Sequence, residues 1–513
     1  MASKWKLPWK KAADASPRQA RHAYARPRRR HFEAAKSDRL MAGFMAAGNS
    51  SNANLRAALP VLRARSRALC DNNGYAKKIL RTTVTNVVGP RGFTLQFKVK
   101  KKNGKTDKTS NQVLENHWKK WGKLGSASIC GKLSWLDCQK LFMKSVARDG
   151  EVLVRFITGP AAGNPYGFAL QFLEADHLDI NKRGKVGANE IEMGVETNGF
   201  GRPVGYHILK EHPGDFKAQG QDWIRLDASE VIHAFVVERP GQMRGIPMLT
   251  ASIKDLQMLG GFIDAELVSK RASASKMGFI YDMDGDEFDN DNRDKDPDQK
   301  GEVIKDFEAG VIEQLPAGKK FHGYDPQHDG KGLMDFVRVI MRGVGSGTNT
   351  TYHSIANDLT DVNFSSIRSG ELAARDEWKG DQEWMMAAFC ERVMEAWLGW
   401  ALTMGSVPLQ LADEQKYKDG AAFQGRGWQW VDPLKDAQAN QLRHKLRSKS
   451  LTQIAAEEGR TLEEVAEEIA AELELLKDYG IELVEENSGG PTDGNTEDDD
   501  ETNKPGSDPK KPG

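Results

Sequence analysis

The stretch that decides the fold is PMLTASIKDLQMLGGFIDAELVSKRASAS, residues Pro247–Ser275. Its apolar residues recur at steps of three and four, which is the spacing of one face of an α-helix. A helix over the whole stretch would span roughly 40 Å at 1.5 Å per residue, more than a small globular domain needs. The pair Gly260-Gly261 should bend or weaken it midway. The apolar positions are Leu249, Ile253, Leu256, Leu259, Ile263 and Leu267.

A second helical pattern, LMDFVRVIMRGVG, follows after an acidic excursion, YDMDGDEFDNDNRDKDPDQKGE, and a β-like run, AGVIEQLPAGKKF. The chain is therefore predicted to go out on one long helix, make a small excursion and return on another. Two such amphipathic helices leave apolar stripes that one protomer cannot cover. We predict a closed ring with a head-to-tail interface, in which four residues pack against the next subunit. They are Leu249, Ile253, Leu256 and Ile263.

The rest of the chain predicts an α+β protein. Two helices are expected over residues 53–88, separated by the turn Asn72-Asn73-Gly74. Short β-rich runs with Gly, Pro and Asn between them fill residues 151–237, which indicates a domain of largely antiparallel strands. A T-x-x-E capping box at Thr461 opens a final amphipathic helix that ends near Gly480.

Composition excludes several classes of protein. Length alone suggests about three domains for 513 residues, and 73 basic residues balance 73 acidic ones. No run of about 18 uncharged apolar residues exists, so no membrane span is predicted. The four cysteines form no C-x-x-C pair and are interpreted as reduced thiols of a cytosolic protein. A basic arm over residues 1–50 and an acidic tail over residues 486–513 are both predicted to be disordered.

The polar run NDLTDVNFSSIRSGELAARDEW, residues 357–378, resembles an active site in composition only. No strained G-x-S-x-G turn frames Ser365 or Ser366, and serines just before a helical pattern are ordinary N-caps. We therefore predict that these two serines cap the helix. His207 and His233 have no partner at ligand spacing and are expected to be packed or surface histidines. The sequence predicts no catalytic residue, no metal site and no cofactor.

Two other functions stay open on the residues alone. One is a metal-dependent hydrolase or nuclease that uses Asp358 and Asp361. The other is a helix-turn-helix DNA-binding regulator formed by SLTQIAAEEGRTLEEVAEEIAAE. Its second helix would present four glutamates to phosphates, which favours a protein-packing pair of helices instead. These are Glu463, Glu464, Glu467 and Glu468.

A series of motifs, in this order, resembles the lambda family of bacteriophage portal proteins. The resemblance spans about residues 55–480, and the ordered series is more specific than any single motif. The motifs are CDNNGYAKKILRTTVTNVVG, ARDGEVLVRF, FLEADHL, GVETNGFGRPVGYHI, VIHAFVVERPGQMRGIPML, DLTDVNFSSIRSGELAARDEW and VDPLKDAQAN.

The resemblance implies a portal fold assembled as a ring, commonly a dodecamer, at one vertex of the capsid. A terminase motor would drive double-stranded DNA through it, and ATP hydrolysis would belong to the terminase. The resemblance divides the chain into several parts. They are a wing at 51–245, a stem helix at 246–275, a clip at 276–330, a second stem helix at 331–345, a tunnel loop at 346–366, a long wing helix with its return at 367–432 and a helical crown at 433–485.

The implied partners are the terminase large subunit, the major capsid and scaffold proteins, head-completion and tail adaptor proteins, and double-stranded DNA bound without sequence preference. The implied location is the virion, after assembly in the cytoplasm of the bacterial host. Gly345–Phe364 is expected to be a channel loop, because small polar residues give backbone freedom and brief phosphate contacts. Its predicted DNA-facing residues are Ser346, Thr348, Asn349, Thr350, Asn357 and Asp358. The predicted terminase-facing residues of the clip are Asp284, Asp286, Asp289 and Asp291.

Overall fold

The computed structural model describes residues 48–216, 222–274, 278–282, 319–323, 332–358, 360, 364–428, 433–457 and 460–480. The predicted acidic tail, the first 47 residues of the predicted basic arm and the four clip aspartates lie outside these residues. The helices of the described part are α1 (Ser51–Asn72), α2 (Gly74–Val87), α3 (Lys108–Trp121), α4 (Trp135–Asp149), α5 (Ile253–Ala274), α6 (Leu333–Gly347), α7 (Tyr352–Ala356), α8 (Phe364–Met385), α9 (Glu391–Thr403), α10 (Glu414–Asp419), α11 (Pro433–Lys445), α12 (Leu451–Glu457) and α13 (Leu462–Asp478).

The described strands pair only in antiparallel fashion. One sheet has the order β3-β2-β9, a second is the meander β4-β5-β6-β7-β8, and two further pairs are β1-β12 and β10-β11. The strands are β1 (Thr94–Phe97), β2 (Glu151–Thr158), β3 (Phe168–Leu173), β4 (Gly184–Val186), β5 (Asn189–Glu192), β6 (Val195–Thr197), β7 (Pro203–Leu209), β8 (Trp223–Asp227), β9 (Val231–Phe235), β10 (Gly278–Asp282), β11 (Lys319–Gly323) and β12 (Ala421–Gln424). The mixed helix and sheet class is as predicted. The three-stranded sheet and the five-stranded meander lie within residues 151–237, the segment expected to be β-rich.

The turn between α1 and α2 has the predicted form. Asn73 sits between the two helices, and its side-chain oxygen accepts hydrogen bonds from the backbone N–H groups of Tyr75 and Ala76 at 3.0 and 3.1 Å. This satisfies two of the donors that the start of a helix leaves unpaired. The Asn-Asn-Gly signal therefore marks a helix boundary.

The main core is built around four indole rings. Trp118 lies 4.8 Å from Trp121, 5.2 Å from Trp135 and 5.1 Å from Trp397, measured between ring centroids. The Trp121 indole N–H donates to the Phe168 carbonyl at 2.9 Å, so its polar atom is paired inside the core. These contacts join α3, α4 and α9 to strand β3 of the three-stranded sheet.

The helix predicted to follow the polar run is present, with one irregularity. Helix α8 leads into a single π-helical segment, Met386–Cys390, and then into α9. Met385, Phe389 and Val393 are fully buried on its apolar face. A π segment shifts the face of a helix by widening one turn, and here the apolar face continues across it from α8 into α9.

The two long helices contact each other, as predicted. Helix α5 begins at Ile253 and not at Pro247, because Met248–Ala251 forms a 3₁₀ turn. Helix α5 continues through Gly260-Gly261 without interruption. A second core joins its first turns to α1, α2 and α6. At the far end, β10 pairs with β11. No helix of the described residues is long and apolar enough to cross a membrane.

Candidate functional site: the helical pair and the joint at its base

The apolar stripe of α5 has two environments. Leu249, Ile253 and Leu256 are buried within the chain, with exposed fractions of 1, 8 and 0%. They contact the core formed with α1, α2 and α6. The prediction that these three residues pack against a neighbouring subunit is therefore wrong, because their own chain already covers them. Ile263, the fourth predicted residue, is 38% exposed.

From Met258 onward the same helix leaves most of its apolar side chains uncovered, and so does the start of α6. Phe262 of α5 contacts Phe336 of α6, with ring centroids 5.1 Å apart, and this pair holds the two helices together. The outer parts of both helices nevertheless remain apolar and exposed. The exposed apolar residues, called the stem surface below, are Met258, Phe262, Ile263, Leu267, Val268, Met334, Phe336 and Val339.

The predicted channel loop is largely folded. Residues 345–347 belong to the end of α6, and residues 352–356 form the short helix α7. Thr348 and Thr350 are only 5 and 6% exposed. The Thr348 hydroxyl donates to the Val344 carbonyl at 2.9 Å, and the Thr350 backbone N–H donates to the Gly345 carbonyl at 3.0 Å. The prediction that these two threonines face DNA is therefore wrong for the chain as it folds here, because both stabilise the turn.

Three of the predicted channel residues are exposed. Ser346 lies on the last turn of α6, where its hydroxyl donates to the Arg342 carbonyl at 3.0 Å. Asn349 and Asn357 have left-handed backbones, with φ of 49° and 52°. Asparagine tolerates this conformation better than most residues, so both reverse the chain at low cost. Their placement leaves a small polar surface beside the helical pair.

Asp358 ties this segment to α6. Its carboxylate accepts hydrogen bonds from the Tyr352 hydroxyl at 2.7 Å and from the Thr360 hydroxyl at 2.5 Å, and Arg338 lies 3.3 Å away. The hydroxyl of Thr360, then that of Tyr352, holds the pKa of Asp358 well below its usual range. This carboxylate therefore already has protein partners on both oxygens. Asp361, its proposed partner in a metal site, lies outside the described residues.

The two serines predicted to cap the helix lie at its start. Helix α8 begins at Phe364, so Ser365 and Ser366 both lie within its first turn. Their side chains lie outside the described part of the structure. Capping by either serine remains a prediction.

A buried charge network lies at the base of the helical pair, where sequence patterns predicted no site. Glu151, at the start of β2, is fully buried, and Arg244 beside it is 0% exposed. The Arg244 guanidinium donates to Glu151 at 2.5–3.0 Å and to the carbonyls of Ala175, Leu178 and Met193 at 2.9–3.0 Å. Every side of this arginine therefore meets an acceptor.

Two further side chains complete the network around Glu151. Arg63 of α1 donates to it at 2.7 Å, and His233 of β9 lies 3.0 Å from its second oxygen. Burial raises the pKa of Glu151, but the charge of Arg244, with His233 and Arg63, outweighs it and sets the pKa well below the usual range. Burial is also the largest cause lowering the pKa of His233. We refer to Arg63, Glu151, His233 and Arg244 as the charge network.

Two glycines bring the backbones together at this point. Gly150 has φ of +88°, and a Cβ there would lie 2.5 Å from the carbonyl carbon of Ile246. A Cβ on Gly245 would lie 2.0 Å from the Gly150 carbonyl oxygen. Only glycine fits both positions. The segments RDGEV and MRGIP thus meet backbone to backbone at the charge network.

The motifs that meet here belong to a known family of proteins. The family model described as phage portal protein, lambda family, matches residues 37–382. The chain belongs to this family. This confirms the resemblance found in the ordered motifs. Portal proteins are a structural family. Membership of this family therefore does not support the hypothesis of a hydrolase or the hypothesis of a DNA-binding regulator.

A relative in Halomonas phage phiHAP-1 carries the name "Probable portal protein". It is 32% identical to this portal chain over 514 residues, which cover 98% of each chain. Among solved structures, a chain from the neck of an empty gene transfer agent particle, computed with C6 symmetry, is 13% identical with a TM-score of 0.44 and covers 83% of this chain and 99% of its own. A chain from the native neck, computed with C12 symmetry, is 12% identical with a TM-score of 0.41 and covers 81% of this chain and 96% of its own.

One cluster in this portal chain has the composition of a metal site. Ligand atoms of Glu174, Asp176 and His212 lie within 4.8 Å of one another. However, Arg67 lies 2.5 Å from Asp176 and 3.6 Å from Glu174, and Arg148 lies 3.7 Å from Glu174. These guanidinium groups already neutralise the carboxylates, so a cation would have to displace them. We assign the cluster no metal.

Proposed function

We propose that this portal chain forms a closed ring at one vertex of a phage capsid. Double-stranded DNA would be packaged through the ring by a terminase motor and would later leave by the same route, and the ring would join head to tail. Membership of the portal family supports this function. The structural observation that carries it is the stem surface, which a single protomer leaves uncovered.

The stem surface is unusual for a monomer because it is both apolar and continuous along two helices. Leu267, Val268 and Val339 are 56, 63 and 65% exposed. Monomeric proteins rarely leave contiguous apolar areas of this kind in water. The exposed positions lie on both helices of the pair, so one copy can offer α5 to α6 of the next. Such a head-to-tail contact closes into a ring when its rotation divides a full turn.

The DNA-facing and motor-facing surfaces are part of the same proposal. Ser346, Asn349 and Asn357 would line the channel, where small neutral side chains allow brief phosphate contacts. The aspartates of the clip would face the terminase, because an acidic rim repels DNA and attracts a basic partner. We further propose that the protein resides in the virion, after assembly in the host cytoplasm with capsid and adaptor proteins.

The test is ring formation in negative-stain images of the purified chain. A Leu267→Asp/Val268→Asp double variant should stay folded, with an unchanged melting temperature for the main core, but should not form rings. Gln257→Asp is the matched control, since this exposed polar residue lies on the same helix; it should still form rings. Rings of normal size from the double variant would show that the stem surface is not the interface. A wild-type chain that stays monomeric at high concentration would refute the proposed function.

A further inference from the structure

A cleft of about 520 Å³ lies away from the helical pair and takes no part in the sites above. It opens between the turn after α2, helix α8, the residues at and after the end of β12, Glu457 at the end of α12 and Arg460 before α13. Among the described residues that line it, four are arginines and one carries a carboxylate. They are Arg91, Arg375, Arg426 and Arg460, with Glu457 as the acid. The lining is therefore rich in positive charge.

The described contacts of Arg375, Arg426 and Arg460 neutralise only part of their charge. Among its described contacts, Arg426 donates only to neutral acceptors, the Thr85 carbonyl at 2.7 Å and the Asn86 side-chain oxygen at 3.3 Å. Burial, followed by the positive charge of Arg375, lowers the pKa of Arg426. Two guanidinium groups thus repel each other inside the cleft, and an anion between them would relieve the repulsion.

The acidic residues nearby compensate only part of this charge. Arg375 lies 3.4 Å from Glu371 of the same helix, and Arg460 pairs with Glu468. Glu457, the acid of the lining, is paired with Lys449 at 2.6 Å, which further reduces its effect on the arginines. The cleft as a whole therefore favours an anionic ligand.

We propose that this arginine cleft binds phosphate groups of a double-stranded DNA backbone. Guanidinium groups match the oxygens of a phosphate with two parallel hydrogen bonds, which makes arginine the preferred residue for this ligand. A volume of about 520 Å³ falls in the usual range of ligand sites and exceeds what a single free phosphate fills. Trp428 adds an apolar wall, with its ring 5.9 Å from the Arg426 guanidinium.

The position of the cleft connects it to the channel. Arg375 lies on α8, eleven residues after Phe364, which places it about 16 Å along the helix from the segment proposed to face DNA. The inference rests on the proposed function, since DNA reaches this surface only if the ring handles it. The neutral residues near α6 suit a moving duplex, whereas clustered guanidinium groups suit a duplex that is held.

The experiment measures binding of a labelled short duplex to assembled rings by fluorescence anisotropy between 0.05 and 0.2 M salt. An Arg375→Gln/Arg426→Gln variant should bind at least about tenfold more weakly at the middle of this range. The slope of log affinity against log salt should fall by about one for each lost phosphate contact. The matched control is Lys185→Gln/Arg202→Gln, which removes two exposed positive charges, one on strand β4 and one in the turn before strand β7. It should change the affinity less than about twofold.

Equal binding by the cleft variant and the control would overturn the inference. A cleft that binds only small anions would also overturn it. In that case the cleft variant would weaken binding of inorganic phosphate but not binding of the duplex. If the double variant fails to assemble, Arg460→Gln is the test, because its side chain is about one-third exposed. It should weaken duplex binding about threefold, and unchanged binding would overturn the proposal. Rings that form normally but show no cleft-dependent binding refute this inference alone, whereas the absence of wild-type rings refutes the proposed function.

Discussion

Replacing Arg244 with methionine should destabilise the chain far more than removing any exposed cation. The guanidinium is 0% exposed and donates to Glu151 and to three backbone carbonyls. Methionine fills a similar volume but donates nothing, so Glu151 would keep its charge in a buried site with fewer partners. Breaking a buried ion pair on one side costs about 3–5 kcal/mol, because the remaining charge is left uncompensated. We expect a loss of about 4 kcal/mol, which is a large part of the total stability of a typical domain.

The loss should not be larger, because Glu151 keeps other partners. Arg63 at 2.7 Å, His233 at 3.0 Å and the Gly245 backbone N–H at 3.0 Å all remain. Urea unfolding followed by tryptophan fluorescence measures the change, since four indoles lie in the adjacent core. Lys210→Met is the matched control, because Lys210 pairs with Asp222 on the surface, with side chains 54 and 83% exposed. It should cost less than about 0.5 kcal/mol.

A double-variant cycle separates this explanation from simple loss of packing. If Arg244 acts through Glu151, then Glu151→Gln should cost less in the Arg244→Met background than in the wild type, by about 2 kcal/mol. Additive effects of the two changes would show that their pairing contributes nothing. A loss of less than about 1 kcal/mol for Arg244→Met alone would refute the reasoning, because no buried charge would then be left uncompensated.

Three further predictions concern a partly buried acid, a strained glycine and the clip. Burial, followed by the charge of Glu377, raises the pKa of Asp381 to about 6 from 3.8, so its contribution to stability is present below pH 3.8 and lost as pH rises through 6. Asp381→Asn should therefore raise the free energy of unfolding by about 1–2 kcal/mol at neutral to basic pH and leave it unchanged in acid. Urea unfolding at a series of pH values measures this change. A gain in stability that does not depend on pH would contradict the prediction. Gly150→Ala should cost more than about 2 kcal/mol, because its Cβ would lie 2.5 Å from backbone, whereas Gly163→Ala, at φ +67° in open space, should cost about 1 kcal/mol in the same assay; equal losses would argue against a steric cause. Replacing Asp284, Asp286, Asp289 and Asp291 with asparagine should weaken binding of the terminase to immobilised rings while rings still form, and unchanged binding would show that the motor docks elsewhere.

Long periodic segments were predictable from the sequence because their apolar spacing is set by helix geometry. The helical pair and the α8–α9 region were found in this way, and the Asn-Asn-Gly turn was found from its own capping chemistry. Periodicity identifies which residues share a face, but not what covers that face. Leu256 and Leu267 belong to one stripe, yet one is 0% exposed and the other 56%. The assignment of the subunit contact failed for this reason.

The turn after α6 and the charge network were missed for two other reasons. Small polar residues such as Thr348 and Thr350 predict a flexible loop by composition, but their local hydrogen bonds fold the chain into a turn. Charged residues are expected at the surface, and Arg244 is separated from Glu151 by 93 positions. No local pattern connects the two. The only available signal was that both residues lie in motifs of the family series, RDGEV and GQMRG.

The position of the charge network gives the RDGEV and GQMRG motifs a structural role. The network joins α1 through Arg63, the three-stranded sheet through Glu151, and the loop that leads into α5 through Arg244. Apolar packing resists separation but is weakly directional, whereas hydrogen bonds between charged groups fix distance and angle. The close approach of Gly150 and Gly245 leaves the loop no room to shift. The direction in which the helical pair leaves the α+β region is therefore set by directional contacts at its base. In a ring, every subunit must present its stem surface at the same angle for the interfaces to close. Rigid ionic contacts at the base of the helices meet that requirement.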